Sequence, residues 1–234
     1  YLMYPYLKLY VRDLPNERSL HNKVAVSGGG LIFAINIIIC SLILKDYRWL
    51  LTLPLSLTGL IDDKYDLSPF LRASIYSLIV SLILFFDKES ILNLKPYLLY
   101  IPFLLIFGIY YINLFNFMDG IDGLVGGCFL IITFKFCLLN NYPFIFLIPS
   151  LIAFLIYNWH PAKLFMGDTG STLLGGVFFI MILEQKELIN MFKFLLLGSP
   201  LLFDSVFTLL IRIKIGQNIF KPHNMHLYQR LNQA

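Results

Sequence analysis

Charge is what this sequence has least of. Asp, Glu, Lys and Arg make up 14% of its 234 residues while 58% are hydrophobic, and mean hydropathy is +0.75. A soluble chain of this size needs a charged surface around its core, so water is excluded as the solvent for most of this one. Cysteine is scarce too. Cys40, Cys128 and Cys137 all sit in apolar runs, which argues against a disulfide framework and a thiolate metal site and leaves small hydrophobes. No stripe of basic and aromatic residues offers base stacking, so the net charge of +4 fits anionic lipid headgroups and needs no nucleic-acid partner. Also missing are a soluble second domain, an internal repeat and a low-complexity tract.

What is present is a series of apolar runs near 28–45, 47–61, 70–86, 97–112, 121–139, 143–157, 170–183 and 191–212. They are apolar on both parities, which is the pattern of buried or lipid-facing helices and not of barrel strands. Several fall short of the about 20 residues that a perpendicular span requires. The expected fold is therefore all-α: a polytopic membrane bundle of about eight transmembrane helices, one domain over 1–234. The abrupt ends, Tyr1 and Asn232-Gln233-Ala234, are those expected of a fragment lacking a helix at each end.

Five polar islands interrupt the runs: Asn16 to Lys23, Asp62 to Asp66, Asn113 to Asp122, His160 to Asp168 and Lys221 to Arg230. Two apolar runs separate each island from the next, and an even number of crossings returns the chain to the face it left. All five then share one face. Lys and Arg favour that face by about two to one, which makes it cytoplasmic.

Each island has its own chemistry. Adjacent Asp62 and Asp63 at a membrane face suit a divalent cation, or a base of raised pKa, as much as a solvated turn. Asn113, Asn116, Asp119 and Asp122 recur with a period of three, close to the helical repeat, so most share a face. Their hard oxygens suit Mg²⁺. Asp168, beside Gly167, Thr169, Gly170 and Ser171, opens a span; it either caps a helix or holds a metal while amide groups face a phosphate. His223 and His226, with Arg230 beyond them, suit a diphosphate or lipid phosphates better than zinc, which would need more ligands. Asn16 to Lys23 and Gly28 to Gly30 add cations and flexible backbone. Inside the runs, Asp204 follows the helix-breaking Gly198-Ser199-Pro200 and should face protein or a polar cavity; Lys135 should snorkel.

Together, Asp62-Asp63, Asn113-x-x-Asn116-x-x-Asp119-Gly120-Ile121-Asp122, Met166-Gly167-Asp168-Thr169-Gly170-Ser171 and His223-x-x-His226-Leu227-Tyr228-Gln229-Arg230 resemble the polyprenyl-phosphate N-acetylhexosamine-1-phosphate transferases, glycosyltransferase family 4. That superfamily makes the first lipid intermediate of peptidoglycan and starts O-antigen and teichoic acid synthesis. The ending from His226 to Arg230 looks most like the surface-polysaccharide branch. The resemblance implies transfer of a HexNAc-1-phosphate from a UDP-sugar to undecaprenyl phosphate, with release of UMP, in the bacterial inner membrane with the site facing the cytoplasm. It implies a Mg²⁺ cofactor (or Mn²⁺), held with the diphosphate by Asn116, Asp168 and Asp119. It implies a nucleotide site of Asn113, Asp122 and Phe165, lipid-phosphate or general-base work for Asp62 and Asp63, phosphate binding by His223, His226 and Arg230, and a full set of ten or eleven helices. The eight runs would be the second to ninth of these. A homodimer is open to such a protein. One departure is Val24-Ala25-Val26-Ser27, where the family has a Pro-Thr-Pro-Arg-like run. The competing classes are a cation-coupled transporter, which would carry its carboxylates at mid-bilayer where only Asp204 qualifies, and another membrane phosphotransferase.

Overall fold

The computed structural model describes residues 12–13, 25–87, 97–140, 143–185 and 187–217. Among them the chain forms nine helices: α1 (Leu31–Leu44), α2 (Leu53–Tyr65), α3 (Pro69–Phe86), α4 (Tyr97–Met118), α5 (Leu124–Asn140), α6 (Leu147–Asn158), α7 (Gly167–Leu183), α8 (Leu188–Leu197) and α9 (Ser199–Lys214). Short 3₁₀ segments, Tyr47–Thr52 and Pro143–Phe146, lead into α2 and α6. A two-residue antiparallel pairing joins Arg12–Asp13 (β1) to Ala25–Val26 (β2).

The all-helical expectation holds, but the count of eight spans is not confirmed. Among the described residues only Pro69–Phe86 and Tyr100–Met118 are long and apolar enough to cross a membrane, or three spans if α8 and α9 count as one. The other apolar helices are shorter: a 14-residue helix such as α1 is about 21 Å long, against a hydrocarbon core of about 30 Å. Two expected boundaries shift for local reasons. The run at 97–112 continues as helix through the polar island to Met118, because Leu114, Phe115 and Met118 give its last turns a buried face. The run at 191–212 divides at Gly198 into two helices bent by 76°, as the Gly-Ser-Pro signal implies.

The core is organised around α7. Every residue from Thr169 to Leu183 is buried, which suits a helix apolar on all sides, and α2 and α4 are its main neighbours. Small residues permit that approach, as they do between helices in lipid. A Cβ on Gly59 of α2 would lie 2.2 Å from the Asp168 carbonyl oxygen, and one on Gly175 would lie 2.8 Å from the Ile112 Cα. Thr172 of α7 donates to the Leu55 carbonyl of α2 at 3.0 Å. Aromatic rings fill the rest, Phe178 packing on Tyr111, Phe115 and Phe194. Asp204 is half-buried, with Thr208 donating to it, and Lys135 is exposed.

At the end of α7 far from Gly167, Arg48 ties three elements together. Its guanidinium bonds Asp46, Asp87 after α3 and Glu184 after α7, and Trp49 Nε1 also donates to Asp46.

Candidate active site

The opposite end of the bundle collects the polar islands. There α2 stops at Asp66, whose φ of 50° is left-handed, and Ser68 caps α3 by accepting from the Leu71 amide at 3.3 Å. This tight turn folds the start of α3 back on the end of α2. Asp62, 7% exposed, accepts from the Leu67 amide at 2.7 Å and from Arg72 Nη1 at 2.7 Å. Asp63 points the other way. Its two oxygens accept from the Asp168 amide at 3.1 Å and the Thr169 hydroxyl at 3.2 Å, so a carboxylate of α2 caps the N-terminus of α7. Gly167 enters α7 at φ +68°, and a Cβ there would sit 2.7 Å from Asp63 Oδ2. Only glycine suits that position.

Asp168 stands in the first turn of α7 with Asn116 of α4 beside it. All three carboxylates Asp63, Asp168 and Asp119 lie beyond the apolar runs. Burial and the neighbouring charges of Asp63 and Asp62 push Asp168 above the usual carboxylate range, with the Asn116 amide beside it opposing. Burial raises Asp119 as well, reinforced by Asp168 and Asp63. It also raises Asp63, the bonds from Asp168 and Thr169 opposing. Arg72 reaches Asp62 closely but Asp168 only at 4.0 Å. Among the described residues, Asp63, Asp119 and Asp168 are therefore short of closely paired positive charge.

That shortage is the fit test for the expected Mg²⁺. Among the described residues no group of three His, Cys, Asp or Glu side chains forms a ready-made metal cage. Mg²⁺ does not ask for one: it keeps waters, takes one or two carboxylates and shares the rest with substrate phosphates. Mutually repelling carboxylates with an amide oxygen donor alongside suit it. The residues fit.

A second cluster lies where α4 meets α5 and α6 meets α7. Asp122 Oδ2 accepts from the Ala162 amide at 3.0 Å and lies 3.0 Å from His160 Nδ1. Asn158 joins the same two loops, accepting from the Gly123 amide at 2.9 Å and donating to the Leu164 carbonyl at 2.9 Å. Half-buried Phe165 has its amide on Val26 O and its carbonyl on Gly29 N, so the three-glycine segment backs the loop entering α7. The Asn113 amide donates to Ile109 O within α4.

The site residues thus fall into two groups, Asp62, Asp63, Asn116, Asp119 and Asp168 in one and Asp122 with the Phe165 loop in the other. His223, His226 and Arg230, and the island from Asn16 to Lys23, lie outside the described residues. Sequence reasoning missed Arg72, Asn158 and His160. A cation ten residues after a carboxylate, across a turn opened by Ser68-Pro69, was a signal for Arg72; His160 opened a polar island, but its partner and that of Asn158 lie more than thirty positions away.

Residues 47–186 match the profile of glycosyl transferase family 4. The chain is 30% identical, over 96% of its own length and 70% of the relative's, to a probable undecaprenyl-phosphate N-acetylglucosaminyl 1-phosphate transferase of Bacillus subtilis. It is 28% identical, over 93% of itself and 72% of the relative, to an undecaprenyl-phosphate alpha-N-acetylglucosaminyl 1-phosphate transferase of Thermotoga maritima. It is 35% identical, over 76% of itself and 64% of the relative, to a phospho-N-acetylmuramoyl-pentapeptide-transferase of Dictyoglomus turgidum. With its apolar bundle and its carboxylates gathered at one end, the chain belongs to glycosyl transferase family 4, the family of membrane-embedded polyprenyl-phosphate sugar-1-phosphate transferases.

Proposed function

We propose that the protein transfers a HexNAc-1-phosphate from a UDP-sugar to undecaprenyl phosphate, starting a cell-surface polysaccharide at the cytoplasmic face of the bacterial inner membrane. The observation that carries this is the convergence of Asp62, Asp63, Asn116, Asp119 and Asp168 on the N-terminus of α7 at one end of an apolar bundle. A lipid phosphate in the headgroup plane and a water-soluble diphosphate can meet there. A transporter would want its carboxylates within the spans, and these lie beyond them.

In the proposed reaction an oxygen of the acceptor phosphate attacks the β-phosphorus of the donor. The bond from that phosphorus to the bridging oxygen breaks, and UMP leaves with the electron pair. Such transfers need mainly positioning and charge neutralisation. Asp168, Asp119 and Asn116 would hold Mg²⁺, with Mn²⁺ as a substitute, and the ion would neutralise the diphosphate as it does in other phosphoryl transfers. Arg72 faces the same space and holds Asp62 in place. The acceptor phosphate is already largely ionised near neutrality, its second pKa being about 6, so a strong base is unnecessary. The bonding of Asp62 and Asp63 supports orientation of the phosphate and of α7. Asp122 and Phe165 would take the uracil, and His223, His226 and Arg230 the phosphates. A second donor class, UDP-MurNAc-pentapeptide, is favoured by the muramoyl-pentapeptide transferase among the relatives.

The test is UMP release by membranes carrying the protein, with undecaprenyl phosphate, Mg²⁺ and a panel of UDP-HexNAc sugars plus UDP-MurNAc-pentapeptide. Lipid- and Mg²⁺-dependent UMP with one HexNAc supports the proposal. UMP from the pentapeptide donor alone moves the protein to the peptidoglycan branch. No UMP from any donor, beside an active control, refutes both.

A further inference from the structure

We propose that His160 is a positioning residue for the donor nucleotide: it sets the Asp122 carboxylate so that one oxygen is left to read an N–H of the base. The inference rests on the assignment of Asp122 to the uracil. Its own support is the geometry around that carboxylate. Oδ2 receives both the Ala162 amide and His160 Nδ1, each at 3.0 Å. An ionised carboxylate only accepts, so Nδ1 carries the hydrogen. Two donors on one oxygen fix the plane of the group. Oδ1 has no hydrogen bond among the described residues, and the side chain is 24% exposed, so Oδ1 is an acceptor open to a ligand.

A purely structural role explains His160 poorly. The two loops are already joined by Asn158 to Gly123 and Leu164, by Ala162 to Asp122, and by Lys163 to Tyr157 at 2.8 Å. His160 itself is 84% exposed, and a contact so open to water adds little to folding. What it adds is direction. A lone outward acceptor favours a base with a ring N–H, as uracil has at N3, over cytosine, which presents an unprotonated ring nitrogen there. A site built to hydrogen-bond one partner discriminates against the analogue that cannot.

The experiment uses the protein in membranes, with UDP-GlcNAc as donor probe (or the panel sugar that turns over), and combines His160→Ala, His160→Gln, Asp122→Ala and the His160→Ala/Asp122→Ala double variant. His160→Ala should raise the donor KM roughly tenfold, the size of one lost hydrogen bond to a charged group, with kcat within about twofold and the thermal midpoint unchanged. It should also narrow the preference for UMP over CMP as competing inhibitors. His160→Gln, which still offers an N–H, should recover most of both. In the double variant the His160 effect should vanish, because its partner is gone. An unchanged KM in His160→Ala, a loss confined to stability, or an undiminished His160 effect without Asp122 overturns the proposal. Failure of the underlying assignment looks different: Asp122→Ala alone would then leave the donor KM and the UMP preference unchanged.

Discussion

The two ends of α7 hold carboxylates in similar number and treat them in opposite ways. At the Leu183 end, Asp46, Asp87 and Glu184 converge on one guanidinium, which bonds all three. At the Gly167 end, Asp62, Asp63, Asp119 and Asp168 share one arginine among the described residues, and Arg72 bonds only the first of them closely. The Arg48 end is a clasp that closes the bundle on itself. The Arg72 end leaves carboxylates raising one another's pKa, a condition that added positive charge relieves. Charge left uncompensated by the fold marks the working end.

The sharpest way to break this comparison is Asp168→Asn. It keeps the shape of α7 and removes the charge at the centre of the cluster. Turnover should fall by about 10²–10³-fold, as when one preorganised polar contact to developing charge is lost, while insertion and thermal midpoint hold. Near-normal UMP release would remove Asp168 from the chemistry. Gly59→Ala tests the same end through its packing. Its Cβ would meet the Asp168 carbonyl oxygen at 2.2 Å, so α7 must move or the helices part. Overpacking of that kind costs about 1–3 kcal/mol, and the displaced Asp168 should take activity down with stability. A variant with full stability and full activity would show that the contact between α2 and α7 positions nothing.

How far the sequence revealed these ends follows the range of the contacts. Helices were legible because the apolar runs are continuous, and the break at 198 because Gly198 and Pro200 are local signals. The persistence of α4 to Met118 was hinted at by the near-helical spacing of Asn113, Asn116 and Asp119, but its cause was not legible: Phe115 packs on Phe129 of α5 and Phe178 of α7. Asp62, Asp63, Asn116 and Asp168 stood out as polar residues in apolar company. The division of labour between Asp62 and Asp63 did not: adjacent residues on a helix point about 100° apart, and only the folded partners show which way each turns. The pairing of His160 with Asp122 and the reach of Arg48 to Asp87 and Glu184 were invisible for the same reason, these partners being supplied by distant elements.

Arg48→Met sharpens the comparison from the other side. It leaves three carboxylates at a partly buried point, so stability should fall by roughly 2 kcal/mol, between the costs of exposed and buried pairs. The surviving folded fraction should keep the wild-type KM for both substrates. Adding Glu184→Gln should recover part of the loss by removing one of the carboxylates that Arg48 had faced. A changed donor KM with stability intact would mean that the two ends are coupled along α7.

The smallest expected effect separates the two roles of Asp63. As the cap of α7 it needs only an oxygen acceptor, which asparagine supplies; as a charge in the cluster it needs to be an anion. Asp63→Asn should therefore stay within a few tenths of a kcal/mol of wild-type stability, while Asp63→Ala should lose about 1 kcal/mol with the cap. Activity should separate them differently. If orientation of α7 is the main contribution, Asp63→Asn should keep most of the turnover that Asp63→Ala loses. Equal and severe losses in both would instead assign the negative charge itself to the reaction, and the general-base reading of Asp63 would then displace the orienting one.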